Sequence, residues 1–330
     1  MQYRNFGRDE RQVSEIGLGC WQLGAEWGEV DNATAGAILD EALAAGITFF
    51  DTADVYGHGR SERRIAQFLQ RHGGPDVMVA TKLGRFPEPG WPENLSLNMF
   101  RAHTEASLER LGVECLDLTQ VHCLPAHLLR EGEIFEWLRV LKREGKIRRF
   151  GLSVETMDDA IMCLEQAGDD LASLQIIFNI FRQKPIDVLF PHAKELGVAI
   201  IVRLPLASGL LSGKFSSETT FSADDHRNFN RDGDAFNVGE TFAGLEFGRG
   251  LHLVERVRPL VPMEWTMSQF ALRFCLDFDA VTTVIPGATR PEQVRSNASA
   301  SELTSLGMAA HGQLEQLYQG EVAEWIRGGY

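Results

Sequence analysis

No apolar run in this 330-residue chain approaches the roughly 20 residues that a helix needs to cross a bilayer, so no membrane anchor is expected. Met1 to Gln12 is charged and has no apolar centre, which argues against an export signal. Cysteine is scarce: the five residues Cys20, Cys115, Cys123, Cys163 and Cys275 are odd in number, widely spaced and never CxxC. That pattern speaks against a disulfide framework or a structural zinc site, fits a reducing cytoplasm, and leaves no metal expected. Basic residues are outnumbered 32 to 46, for a formal charge of -14, so neither nucleic acid nor an anionic membrane is an expected partner. An anionic ligand must instead meet a local basic cluster. A GxGxxG turn is missing too: Gly17-Leu18-Gly19-Cys20-Trp21-Gln22 lacks the third glycine, which counts against an open dinucleotide-binding sheet.

With 44% hydrophobic residues, the chain can bury a large core. From Ile16 onward, eight short runs rich in apolar and β-branched residues alternate with longer amphipathic stretches. The runs are Ile16 to Cys20, Ile47 to Phe50, Val77 to Thr81, Leu116 to Val121, Ile147 to Leu152, Leu174 to Ile177, Ala199 to Leu204 and Val281 to Ile285. Between them, apolar residues recur at three- and four-residue spacing over Ala33 to Ala45, Ser61 to Gln70, Leu97 to Leu111, Ile134 to Glu144, Met157 to Gln166, Val188 to Leu196 and Thr266 to Leu276. Strand, crossover and strand in this rhythm is the pattern of parallel βαβ units. Eight units without a domain break predict one (β/α)8 TIM barrel over residues 1–330. Tyr3 to Phe6 and Arg11 to Ser14 predict a hairpin ahead of it, plugging one end. Gly213 to Gly250, rich in Gly, Asn, Asp and Phe, reads as a lid or binding loop after strand 7. Ser305 to Tyr330 reads as a C-terminal helix packing Leu314, Leu317, Val322 and Trp325 on a barrel end.

In a barrel, side chains at the C-terminal ends of neighbouring strands converge on one pocket. The second run ends at Asp51 with Tyr56 shortly after, the third at Lys82 and the fourth at His122, so three adjacent strand ends bring Asp, Tyr, Lys and His to one rim. The set suits a proton-donor site. A free phenol, with a pKa near ~10, is a weak acid at neutral pH, and an ammonium such as that of Lys82 is expected to lower it. Asp51 would pair with the buried Lys82, and His122 would hydrogen-bond a carbonyl oxygen beside Tyr56. Asp54 reads as a turn residue bonding backbone. Trp21, Phe86 and Trp91 follow the first and third runs and offer apolar walls for a small aldehyde or ketone.

Asp51-Thr52-Ala53-Asp54-Val55-Tyr56-Gly57, Ala80-Thr81-Lys82 and the His122 strand end resemble the catalytic signatures of the aldo-keto reductase family, in family order from about Arg4 to Ala300. The resemblance implies a TIM barrel that uses NADP(H), with hydride delivered to a carbonyl carbon and Tyr56 protonating the oxygen. It also implies a cofactor site. Ser153 and Gln175 resemble the residues that hold the nicotinamide amide, and the stretch Arg203 to Lys214, with Pro205, Leu206, Ser208, Gly209 and Leu211, resembles the loop over the pyrophosphate. Gly287, Thr289, Arg290, Gln293 and Asn297 resemble the segment that clasps an adenosine 2'-phosphate, with Arg290 at the start of a predicted helix.

Two positions depart from the family pattern. Many members carry an aromatic residue on the nicotinamide face where this chain has Arg203, whose guanidinium plane can also stack. Val154 stands where many have Asn, with Asn179 as a candidate substitute. Arg227 and Arg231 are expected to fold over the pyrophosphate. Related architectures leave two other readings open: a sugar or alcohol dehydrogenase working toward oxidation, and a cofactor-binding regulatory subunit like the potassium-channel β subunits. The oligomeric state is not legible.

Overall fold

The computed structural model describes residues 1–24 and 30–330. A hairpin of β1 (Tyr3–Asn5) and β2 (Gln12–Ser14) precedes eight parallel strands: β3 (Leu18–Gly19), β4 (Phe49–Asp51), β5 (Met78–Leu83), β6 (Leu118–His122), β7 (Phe150–Ser153), β8 (Leu171–Ile177), β9 (Ala199–Arg203) and β10 (Val281–Val284). They pair in chain order from β3 to β10, and bridges from Ile16 to Val284 and from Gly19 to Gly287 bring the last strand back to the first. This is the (β/α)8 barrel that the alternating rhythm predicts.

Local chemistry explains the element ends. The helix Leu97–Leu111 begins where the Ser96 side chain accepts from the Met99 amide and stops at Gly112, whose left-handed backbone (φ 67°) turns the chain out. Inside the barrel's N-terminal end, Phe6 and Val13 of the hairpin region pack with Phe49, Met78, Leu118 and Ile201, all buried, so the hairpin is the expected plug. Burying a side chain such as Phe6 stabilises the fold by roughly 1.5–3 kcal/mol.

Several expectations need correction. The helix expected over Val188 to Leu196 is shorter, Phe190–Glu195, and a separate short helix, Pro185–Val188, precedes it; each has proline in its first turn. Proline lacks the amide that would continue a preceding helix. The stretch 213–250 contains a short helix, His226–Phe229, and its last residues belong to the helix Phe247–Val257, capped by the Glu246 carboxylate on the Gly248 and Arg249 amides. Its composition has structural reasons: the rings of Phe215, Phe221, Phe242 and Phe247 pack edge-on or tilted against one another, and the Asn230 side chain bonds Thr241, Ala235 and Phe236. The C-terminal helix is Gly307–Leu317, followed by a wider turn over Tyr318–Val322. Leu314, Leu317 and Val322 are buried, but Trp325 is 48% exposed, with the Arg249 guanidinium over its ring. No helix among the described residues is long and apolar enough to cross a membrane.

Candidate active site

The ladder register sets the heights at which side chains reach the barrel rim. Asp51 pairs with Ala80, Lys82 with Gln120, and His122 with Ser153, which in turn pairs with Gln175. After Asp51 the chain keeps following β5, with the Thr52 amide on Ala80 O (2.8 Å) and the Asp54 amide on Lys82 O (3.2 Å). It then turns at Gly57, where φ is 58° and a Cβ would run into the Gly24 carbonyl, so Tyr56 is aimed inward by a turn that glycine permits.

Lys82 Nζ is fully buried and has three acceptors: Asp51 Oδ2 at 2.5 Å, Thr52 O at 2.9 Å and the Tyr56 hydroxyl at 3.3 Å. These match the three donors of an ammonium. The other Asp51 oxygen accepts from Gln175 Nε2 (2.7 Å) and Gln120 Nε2 (3.1 Å). Gln175, expected at the nicotinamide amide, thus donates its side-chain amide NH2 to Asp51. Gln120 went unnoticed in the sequence, although it sits one ladder position from a rim residue.

Electrostatics differ from the expectation in one respect. The Tyr56 phenol is pushed well above its ordinary value, by burial first and then by the charges of Asp51 and Glu240. The Lys82 charge is spent on Asp51 at 2.5 Å, so the phenol is a fully populated proton carrier rather than one poised to ionise. His122 is buried, and burial followed by Arg85, Lys82 and Arg203 holds its imidazole neutral. It stands edge-on to Tyr56 with centroids 5.9 Å apart, and its Nδ1 has no partner among the described residues. Asp54 is not simply a backbone-bonding turn residue: burial, then the neighbouring Glu62, push its carboxyl up to about 8.

Two cavities meet at Tyr56 and His122. The first, about 490 Å³, runs past Ser153, Gln175, Arg203, Pro205, Leu206, Ser208, Gly209 and Lys214 to Gly287, Thr289, Arg290, Gln293 and Asn297. Leu211 is not on it; that side chain is fully buried in the core beneath the loop. Arg290 is the N-cap of the helix Pro291–Ala298, and Gln293 Oε1 accepts from the amides of Thr289 (2.7 Å) and Arg290 (3.2 Å). Ser208 mainly braces the long loop, giving its hydroxyl to Glu240 O and accepting from the Phe242 amide. Arg227 lines the cleft in a two-bond pair with Asp225 (2.9 and 2.5 Å), whereas Arg231 lies over the Phe247 ring and does not line it. Asn179 cannot stand in for the missing asparagine, because its amide is consumed by Leu204 O and the Phe181 amide.

The second cavity, about 800 Å³, is lined by Trp21, Phe86 and Trp91 as expected, with Phe229 and Phe236 beside them. Its floor, however, is polar. Arg85, Glu155, Asn237 and Glu240 gather there: Glu155 takes Arg85 NH2 at 3.1 Å and Asn237 Nδ2 at 2.5 Å. Arg85 and Glu155 lie just past the ends of β5 and β7, so the strand-end logic that found Lys82 and Ser153 extends to them; Glu240, deep in the long loop, carried no such signal.

The same architecture recurs in known proteins. The Aldo/keto reductase family model matches residues 15–319. The aldo-keto reductase YhdN of Bacillus subtilis is 31% identical over 308 residues, covering 90% of this chain and 87% of that protein. Among solved structures, the holo form of an aldo-keto reductase from Bacillus halodurans superposes with a TM-score of 0.77 at 28% identity, covering 96% of both chains. A glycerol dehydrogenase from Gluconobacter oxydans also gives a TM-score of 0.77, at 27% identity, covering 97% of this chain and 95% of its own. A barrel rim carrying Asp51, Tyr56, Lys82 and His122, in a chain matched along nearly its whole length, makes this protein a member of the aldo/keto reductase family, oxidoreductases of carbonyls and alcohols.

Proposed function

We propose that this protein reduces small aldehydes or ketones with NADPH, Tyr56 acting as general acid. The observation that carries the reading is the chain of contacts from Asp51 through Lys82 to the Tyr56 hydroxyl, 2.5 and 3.3 Å long, at the junction of the two cavities. The first cavity fits an extended dinucleotide. It is lined by Gly19, Gly209 and Gly287, has the buried Oε1 of Gln22 and Nε of Arg203 beside it without a partner among the described residues, and ends at the N-terminus of the helix Pro291–Ala298 under Arg290. Ser153 and Gln175 suit an amide, Lys214 a pyrophosphate, and Arg290 with Thr289 a 2'-phosphate. That anion contact is the local basic cluster that a chain of charge -14 requires.

The cofactor supplies hydride to the carbonyl carbon. Tyr56 gives its proton to the carbonyl oxygen, Lys82 stabilises the phenolate left behind, and the neutral His122 orients the oxygen. Asp51, held by Gln120 and Gln175, keeps Lys82 in place. Trp21 stacks on Tyr56 at 5.7 Å and helps keep water out. The polar floor of the second cavity supports a second reading, oxidation of a polyol by the same residues in reverse, as the name of the Gluconobacter relative suggests. Fluorescence titration with NADPH and NADH, then a screen of aldehydes, ketones and polyols for turnover in each direction, tests both. Absence of any nicotinamide binding would remove the proposal.

A further inference from the structure

Arg182, just past the end of β8, is fully buried, with no carboxylate partner and no hydrogen bond from its Nε among the described residues. Burying a cation without a counter-ion is costly, so what Arg182 holds instead is informative. Its NH1 donates to Ala243 O and its NH2 to Gly329 O, each at 3.4 Å, and its guanidinium lies 4.1 Å over the Tyr330 ring. One arginine thus ties the long loop to residues 327–330. Those residues grip the same loop. Arg327 donates to the carbonyls of Gly244 (3.0 Å), Leu245 (3.2 Å) and Arg231 (3.0 Å) and to the Asp232 carboxylate (2.7 Å). At Gly328 (φ 81°) the backbone passes so close that a Cβ would stand 2.8 Å from the Val238 side chain. The Tyr330 hydroxyl accepts from the Lys184 amide (3.0 Å) and bonds the Tyr318 hydroxyl (2.6 Å). Where Arg182 and Arg327 hold it, the loop turns through Phe242 and Ala243 with φ of 51° and 60°, left-handed conformations that residues other than glycine keep only when their surroundings impose them. Just before this turn stand Asn237 and Glu240, the loop's share of the polar floor of the second cavity. Asn237 Oδ1 accepts from the Gly239 amide (2.7 Å) while its Nδ2 donates to Glu155 (2.5 Å), and Gly329 abuts Thr156, the neighbour of Glu155. Neither Arg182 nor any of residues 327–330 lines the two cavities, so whatever they do there is done through these neighbours.

We propose that Arg182, Arg327 and Tyr330 form a latch that holds Asn237, Glu155 and Glu240 where they receive the hydroxyl groups of a hydroxylated aldehyde or ketone, and so set the preference of the second cavity for such substrates over plain apolar carbonyls. The inference rests on the proposed function. The floor offers acceptors on Glu155 and Glu240 and donors on Arg85 and Asn237, which is what a hydroxyl, itself donor and acceptor, requires. Its charges are matched: Glu155 pairs with Arg85 at 3.1 Å, and Glu240 stands between Arg85 (3.5 Å) and Arg203 (3.6 Å). Two guanidiniums against two carboxylates suit a neutral hydroxylated chain and give an anion no advantage. The walls formed by Trp21, Phe86 and Trp91 include no loop residue, so an apolar ring can rest on them whether or not the latch is closed. Arg182, Arg327 and Tyr330 are positioning residues. Loosening them displaces the floor and leaves the contacts among Asp51, Lys82 and Tyr56 in place, so binding of a hydroxylated substrate weakens while the chemical step keeps its rate.

The test compares wild type with Arg182→Met, Arg327→Met, Tyr330→Leu and Tyr330→Phe, after thermal melts show that each is folded. Hydrogen exchange over residues 237–245, read by mass spectrometry, reports the latch without any substrate. Steady-state reduction of glyceraldehyde and of benzaldehyde with NADPH reports the cavity. Exchange in that segment should rise in Arg182→Met, Arg327→Met and Tyr330→Leu while the barrel strands stay protected. In the same three variants KM for glyceraldehyde should rise roughly tenfold, the worth of about one hydrogen bond, with kcat within about twofold and benzaldehyde KM unmoved. Tyr330→Phe keeps the ring under Arg182 and should stay near wild type, which separates the ring contact from the hydroxyl. Unchanged exchange in both Arg327→Met and Tyr330→Leu overturns the latch and leaves the proposed function standing. So does a KM that rises equally for both aldehydes, or a wild type that reduces benzaldehyde but not glyceraldehyde, since either removes the preference. A wild type that binds no nicotinamide cofactor overturns the proposed function, and with it the substrate role of the latch.

Discussion

Asp54 offers a direct check on how the catalytic turn is built. It lies between Asp51 and Tyr56, and its amide is bonded to the Lys82 carbonyl. Its carboxyl is wholly buried near Glu62, and burial, followed by that neighbour, raises it from 3.8 to about 8. In the unfolded chain the same group ionises near its ordinary value. Between about pH 4 and pH 8 the folded protein therefore holds a proton that the unfolded chain has lost, and stability falls as pH rises, by about 1.4 kcal/mol per unit. From pH 5 to pH 7 that amounts to roughly 3 kcal/mol from this one residue. Asp54→Asn keeps the shape and removes the titration. Urea unfolding of both proteins from pH 5 to pH 8 isolates the effect as a difference: the variant should gain steadily on wild type as pH rises, while m stays constant. A difference that is flat with pH would mean that Asp54 is ionised in the fold and that the buried neutral carboxyl assigned here is wrong.

Tyr56→Phe should retain cofactor binding and lose roughly 10²- to 10⁴-fold in kcat, the usual worth of a positioned general acid, as single-turnover measurements would show. Lys82→Met leaves Asp51 buried with only the two glutamine amides, and a loss of about 3–5 kcal/mol in chemical denaturation is expected. Arg290→Ala should weaken NADPH several-fold more than NADH in parallel titrations, since only the former carries the 2'-phosphate; equal losses would remove that role.

The barrel was legible because its signal is repeated and local. Eight apolar runs, the first seven each followed by a 3.6-residue pattern, leave few ways to fold, and caps such as Ser96 and Gly112 mark their own helix ends. The rim residues Asp51, Lys82 and His122 were legible for the same reason, since strand order alone makes them neighbours. The helix over 188–196 was placed but its start was not, because apolar spacing does not mark where Pro185 and Pro191 divide two short helices; Leu211 was put on the cleft because a loop sequence does not say which side chains face the cleft and which face the core.

What the tertiary structure alone decided is the electrostatic state of those residues. A pKa depends on distances to every charge and on the water excluded, and none of that is written in spacing. Lys82 looked like the group that would make Tyr56 acidic; in the fold Asp51 absorbs its charge, and burial holds the phenol protonated. Glu240, more than 180 residues from Tyr56 in sequence, reaches the site only because Ser208 and the aromatic packing of the long loop bring it there to bridge Arg85 and Arg203. The chain specified by itself which groups stand on the rim, because strand order is a one-dimensional property; how they are charged came from contacts between segments far apart in sequence.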